Sequence, residues 1–416
     1  MAATDTVLLL IAAVIFLGFF GDILFQRRGI PQTLSLIFLG LLLKAVGLVP
    51  QNALDFLVPV FSQLTLAMIL FELGMNLDVR QAMGQGASAI ARSALYMFLS
   101  ITLVFLFFHF YLGWGLYQSL LLGSIVGGET TVAVVPYLAQ RLSKGDAGLV
   151  ANLTAEAAFN SIVLIILFFV FLNGYLQSIP LDLGGLRTIA LTFFAQLSVG
   201  VVAGVVAGIA WIRFSRLMNF TDYLYIATIG YVLAIYALVN ELGGSGILAV
   251  LALGVVFLNF GKLVPGYELP AGTGGYIGTL QNEIVFFLKT FFFVFLGLEL
   301  ALQSFLDLET WALAGTVMLV LLLSRFVSTY SVDHRKDRTT KRAIFFMIAQ
   351  GLTPAVLATT LLDNNVAGSG EIVLIATLVI VMTNVVTAVG AYSLRGTHGP
   401  VSKAEAGQGS SPVDET

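Results

Sequence analysis

Two short stretches hold most of the side chains that could do chemistry. They are Gly127-Gly128-Glu129-Thr130-Thr131-Val132-Ala133-Val134-Val135-Pro136 and Glu156-Ala157-Ala158-Phe159-Asn160. Each sets a carboxylate among small polar groups inside an apolar run long enough to cross a bilayer. An ionisable group at the centre of a membrane costs about 2.5–3.5 kcal/mol, so groups kept there point to work on an ion or a proton. Glu156 and Asn160 are four residues apart and share a helix face. At about 1.5 Å per residue, Glu156 lies roughly 12 Å inside one end of its span, with Asn160 nearer the middle. Arg325 lies at a matching depth on a later span. A guanidinium out of water needs an anion, and Glu156 is the candidate.

An oxygen-rich cage for a hard monovalent cation can then be drawn from Glu129, Thr130, Thr131, Asn160 and Ser161, centred on Glu129 and Asn160. Glu156 is counted with this ion and proton site and Arg325 as its structural charge partner. Gln350, Thr353 and Lys289 are secondary candidates. Lys289 can pair with Glu283 or Glu299, or stand in a water-filled cleft. Plainer readings stay open. Glu156 can be purely structural, Glu129 can be satisfied by the amides of a broken helix, and Asn160 can serve only as an interhelical hydrogen bond.

Composition sets these residues in context. Of 416 residues, 58% are hydrophobic and 10% charged, against about 25% charged in a soluble domain. The apolar residues fall in long blocks, which defines an all-α polytopic membrane protein. The net charge of -3 offers no basic patch for nucleic acid, and the absence of cysteine excludes disulfides and thiolate metal sites. No cofactor is implied beyond the transported ions. Met1-Ala2-Ala3-Thr4-Asp5 has no positive n-region, so the first apolar run reads as a retained span.

About thirteen spans are expected, near 6–25, 31–49, 56–77, 87–111, 115–140, 148–173, 187–213, 222–240, 245–260, 279–302, 310–332, 342–362 and 371–394. With the N-terminus outside and the C-terminus cytoplasmic, fifteen of the twenty Lys and Arg residues fall in cytoplasmic loops or the tail, as the positive-inside rule requires. Residues 395–416 are rich in Gly, Ser and Ala and read as a disordered cytoplasmic tail, too short for a large regulatory domain. Thirteen divides as six, a linker at 187–213, and six. Span five then matches span twelve, and the odd offset of seven inverts the second repeat in the membrane. Both members are interrupted, one at Gly127-Gly128-Glu129-Thr130-Thr131 and the other at Gln350-Gly351-Leu352-Thr353-Pro354-Ala355. Paired breaks predict discontinuous helices crossing at mid-membrane.

At these residues the chain resembles the cation/proton antiporter superfamily, on its sodium/proton exchanger side. Leu70-Phe71-Glu72-Leu73-Gly74-Met75-Asn76-Leu77, Gly123-Ser124-Ile125-Val126 with Val132-Ala133-Val134, Glu156 to Asn160, Glu241-Leu242-Gly243-Gly244-Ser245-Gly246-Ile247-Leu248-Ala249 and Phe291-Phe292-Phe293-Val294-Phe295-Leu296-Gly297-Leu298 match its motifs in order, and Arg325 falls where it keeps a basic residue. The resemblance implies a homodimer in the cell membrane. Scaffold spans at 6–77 and 222–302 would hold the subunits together, and core spans at 87–173 and 310–394 would move elevator-fashion. It also implies exchange of a monovalent cation, sodium or potassium, for protons at one carboxylate. Two positions depart from the pattern. The family's Thr-Asp-Pro is Glu129-Thr130-Thr131 here, and the Asp that follows its span-six Asn is Ser161. Glu129 can have taken over the titrating role. A cation channel or sensor, or a transport-inactive relative, is the alternative. An intramembrane aspartyl hydrolase would need facing aspartates, which these spans lack.

Overall fold

The computed structural model describes residues 11–21, 23, 32–47, 51–76, 87–128, 147–180, 182–217, 224–263, 273–300 and 307–393. Every regular element there is helical. In chain order they are α1 (Ile11–Gly21), α2 (Gln32–Val46), α3 (Gln51–Asn76), α4 (Ala87–Leu106), α5 (Leu116–Val126), α6 (Ala147–Leu176), α7 (Leu183–Leu217), α8 (Leu224–Glu241), α9 (Gly246–Leu263), α10 (Thr273–Glu299), α11 (Leu308–Val332), α12 (Arg338–Phe346), α13 (Leu352–Asp363) and α14 (Ser369–Ser393). Six described helices are long and apolar enough to cross a membrane by length and composition. Large side chains such as Phe16, Phe110 and Leu319 stand exposed on the outside of the bundle, as expected where lipid rather than water is the solvent.

One described span is broken, and another helix ends where the sequence predicts a break. Helix α5 stops at Val126, and the chain turns at Gly127 and Gly128. Residues 129–146, with Glu129, Thr130 and Thr131, lie outside the described residues, as does the 395–416 tail. The second break runs from 347 to 351, between α12 and α13. It begins a few residues earlier than the Gly and Pro positions predict. Pro354 falls in the first turn of α13, where a missing N–H leaves no helix bond unmade.

Helix packing sorts the bundle into two groups. In one, α3 lies against α9 and α10, α2 against α10, and α7 and α8 against α9. In the other, α4, α5, α6, α11, α13 and α14 pack together. Glycine pairs set the closest approaches in the first group. A methyl group on Gly254 of α9 would overlap the Phe71 carbonyl oxygen on α3, and one on Gly40 of α2 would overlap the Val294 carbonyl on α10. Small residues of this kind let helix backbones approach closely in a bilayer, where dispersion must hold helices together.

A candidate ion site where the end of α5 meets a broken span

A buried charge network lies towards one end of the second group. Glu156 on α6 receives Arg92 Nε at 3.1 and 3.0 Å and Arg92 Nη2 at 2.6 Å. It also receives Arg325 Nη1 at 2.5 Å and Nη2 at 3.3 Å. Arg92 Nη1 continues to Asp333 at 2.5 Å, Arg92 Nη2 donates to Asn152 at 2.6 Å, and Lys336 lies 2.7 Å from Asp333. Arg325 Nε donates to the Ile344 carbonyl on α12 at 3.1 Å, and its guanidinium stands 5.2 Å from the centre of the Tyr96 ring. Arg92, Glu156 and Arg325 are wholly buried and Asp333 nearly so. Two guanidiniums thus face two carboxylates, and the buried charge cancels. This is the arrangement in which desolvated ions are tolerable. Every face of the Glu156 carboxylate is met by a cationic donor, so it has no free lone pair to offer a metal ion.

The end of α5 meets the second break further into the bundle. Gln350 Nε2 donates to the Val126 carbonyl at the end of α5, 2.6 Å away. Ser100 Oγ on α4 donates to Gly127 O at 2.5 Å. Helix α14 supplies the bonds the second break lacks. Thr387 donates to Phe346 O at 2.9 Å and accepts from Ile348 N at 3.4 Å, Thr383 accepts from Gln350 N at 3.3 Å, and Asn384 donates to Gln350 O at 2.7 Å. Non-helical backbone at this depth must be satisfied by protein in this way.

Asn160 is one of the exceptions among the described residues. It is wholly buried, and its amide nitrogen and oxygen have no hydrogen-bond partner among the described residues. Gly128 lies against it, since a Cβ built there would be 3.3 Å from Asn160 Cγ. The Gln350 side-chain oxygen is likewise without a partner. Native cores rarely leave such groups unsatisfied, and each orphan calls for an explanation such as an ion or a water. Ser161 donates to Ala157 O at 2.9 Å, and Thr353 is buried in the first turn of α13. Lys289 is remote from this cluster. It lies in the first group on α10, where its charge acts on Glu72 of α3.

Sequence reasoning passed over Arg92, Ser100, Thr383 and Asn384. Arg92, Tyr96 and Ser100 recur every four residues along α4, a polar stripe in an apolar helix that was there to be read.

Among the described residues, an all-helical apolar bundle in which the end of α5 meets a broken span beside a buried amide and a sealed ion network defines a class of membrane protein. The family model described as sodium/hydrogen exchanger, transmembrane, matches residues 10–391, and the chain belongs to that family. It is 24% identical over 327 residues to a Na(+)/H(+) antiporter of Aphanothece halophytica, covering 76% of this chain and 58% of that protein. It is 31% identical over 242 residues to a K(+)/H(+) antiporter of Shewanella sp. strain ANA-3, covering 56% of this chain and 40% of the relative. The chain thus spans about half the length of these relatives. Its fold matches the structure of the sodium proton antiporter MjNhaP1 from Methanocaldococcus jannaschii with a TM-score of 0.75, at 16% identity, over 94% of this chain and 99% of the other.

Proposed function

We propose that the chain exchanges a monovalent cation, sodium or potassium, for protons by alternating access. The observation that carries this reading is the unpartnered Asn160 amide beside Gly128, at the meeting of the two breaks. Glu129 follows Gly128 in the chain, and we assign it the titrating role. A carboxylate partly out of water resists ionisation, so a proton and a cation compete for it and their fluxes couple. Thr130, Thr131, Asn160, Ser161, Gln350 and Thr353 supply neutral oxygens. Glu156 and Arg325, with Arg92, form the rigid wall beside the site.

The pairing of helices supports an inverted repeat. An offset of seven turns the α2–α10 contact into the α9–α3 contact. Gly40 and Gly254 are each ninth in their helices, and Gly74 and Gly297 each third from the end. Asn160 and Asn384 lie on α6 and α14, which the same offset pairs, at similar though not identical positions. We take the first helix group as a scaffold that dimerises in the cell membrane, with the N-terminus outside, and the second as the moving core, with α7 as linker.

The test is purified protein in liposomes with an internal pH dye, pulsed with sodium, potassium and lithium. Saturable, alkali-dependent proton movement that is lost in Glu129→Gln is the expected result. A specific observation keeps the transport-inactive reading in view: among the described residues the meeting point holds no free carboxylate, since Glu156 is fully engaged. Proton movement that survives in Glu129→Gln would assign the titration elsewhere, and none in the unaltered protein would favour the inactive relative.

A further inference from the structure

A cavity of about 250 Å³ lies between the two helix groups, lined from α3, α6, α7, α8, α13 and the turn into α9. Asn173 of α6 lines it, seventeen residues on from Glu156, so it opens about 25 Å along that helix from the charge network. Among the described residues, its one charged lining residue is Asp363. This half-buried carboxylate has no hydrogen bond or ion pair among the described residues. Side-chain amides surround it, with Asn173, Gln196, Asn240 and Asn364 all in the wall. The C-terminal ends of α6, α8 and α13 converge here, against one N-terminus, that of α9. Helix C-termini carry partial negative charge, so a carboxylate on the last residue of α13 is disfavoured unless a cation joins it.

We propose that this cavity is a loading site for a partly hydrated monovalent cation, with Asp363 as its anionic ligand and the neighbouring amide oxygens replacing part of the water shell. From Asp363, Thr360 and Thr353 follow on one side of α13, placing two hydroxyls along the about 15 Å from the cavity to the second break. Only this delivery step rests on the exchange reading. Binding in the cavity stands without it.

The chain has no cysteine, so Gln63→Cys, at an exposed position in the cavity wall, gives a single reporter thiol. Its modification by a cationic methanethiosulfonate is measured in sodium or potassium chloride against N-methylglucamine chloride at equal ionic strength. A focused negative site raises local cation concentration about tenfold or more. The expected results are an acceleration of that order over an anionic reagent, slowing by sodium or potassium, loss of both in Asp363→Asn, and their return in Asp363→Glu. Labelling indifferent to alkali cations in the Asp363 protein overturns the site. In liposomes, Asp363→Asn should raise the cation KM about tenfold, by more than it changes turnover. An unchanged KM overturns the loading role. If the unaltered protein moves no protons, the exchange reading fails alone, and the thiol still judges the cavity.

Discussion

At the scale of single residues, Asn160 and Arg92 make opposite predictions although both are fully buried. The Asn160 amide has no partner among the described residues, so none of them offsets its desolvation cost. Replacing it with an apolar residue of similar size removes that cost. Asn160→Leu should therefore leave thermal stability in detergent unchanged or higher while abolishing alkali-dependent proton movement. A clear loss of stability with exchange intact would make Asn160 a structural hydrogen-bonding group. Arg92 joins Glu156, Asp333 and Asn152. Its removal leaves Arg325 alone against Glu156 and only the part-exposed Lys336 against Asp333, and Arg92→Ala should cost about 3–5 kcal/mol in unfolding free energy. Arg92→Lys should recover little, because an ammonium cannot reproduce donors aimed at three acceptors in one plane. A cost near zero for Arg92→Ala would mean that water reaches the network. The Glu156–Arg325 contact was legible in the sequence because equal depths on two spans leave few other partners. Arg92 was passed over despite its polar stripe, because a cation six residues into a helix also suits the interface, where charge is cheap.

At the scale of elements, the breaks and the glycine crossings explain why these helices take these positions. The second break is held by α14, whose Thr383, Asn384 and Thr387 meet four backbone groups between Phe346 and Gln350. Gly and Pro announced the break, but its register was set by those partners on a helix far along the chain, which local pattern does not reveal. The glycine crossings are testable against their own controls. In Gly254→Ala the new methyl meets the Phe71 carbonyl oxygen, a backbone atom that cannot rotate away. A cost of about 1–3 kcal/mol is expected, with α3 and α9 pushed apart. Gly230 and Gly315 lie inside α8 and α11 with nothing within 4 Å of a built Cβ. Alanine there should raise stability by up to about 1 kcal/mol through helix propensity. Equal effects at Gly254 and Gly230 would show that the close crossing contributes nothing. The motif reading marked Gly74 and Gly297, but their pairing with Gly254 and Gly40 became visible only once helices distant in sequence were seen side by side.

At the scale of the whole molecule, the two helix groups differ in how they are joined. The first interlocks through backbone-close glycines and the second through charge and amide networks, whereas the boundary between them holds the Asp363 cavity. A boundary with a gap and few directional bonds is where sliding costs least. Thr359 of α13 and Ser62 of α3 face each other across it, with their hydroxyl oxygens 3.5 Å apart. Cysteines at these two positions should reach disulfide geometry with little backbone movement, and the cysteine-free chain ensures that no other thiol competes. If exchange requires the groups to move past one another, Ser62→Cys with Thr359→Cys should exchange ions when reduced, stop when oxidised, and recover on reduction. Each single-cysteine protein should ignore the oxidant. Exchange that continues at full rate with the bridge quantitatively closed would rule out relative movement of α3 and α13. The alternation would then have to lie within the second group, at the two breaks themselves.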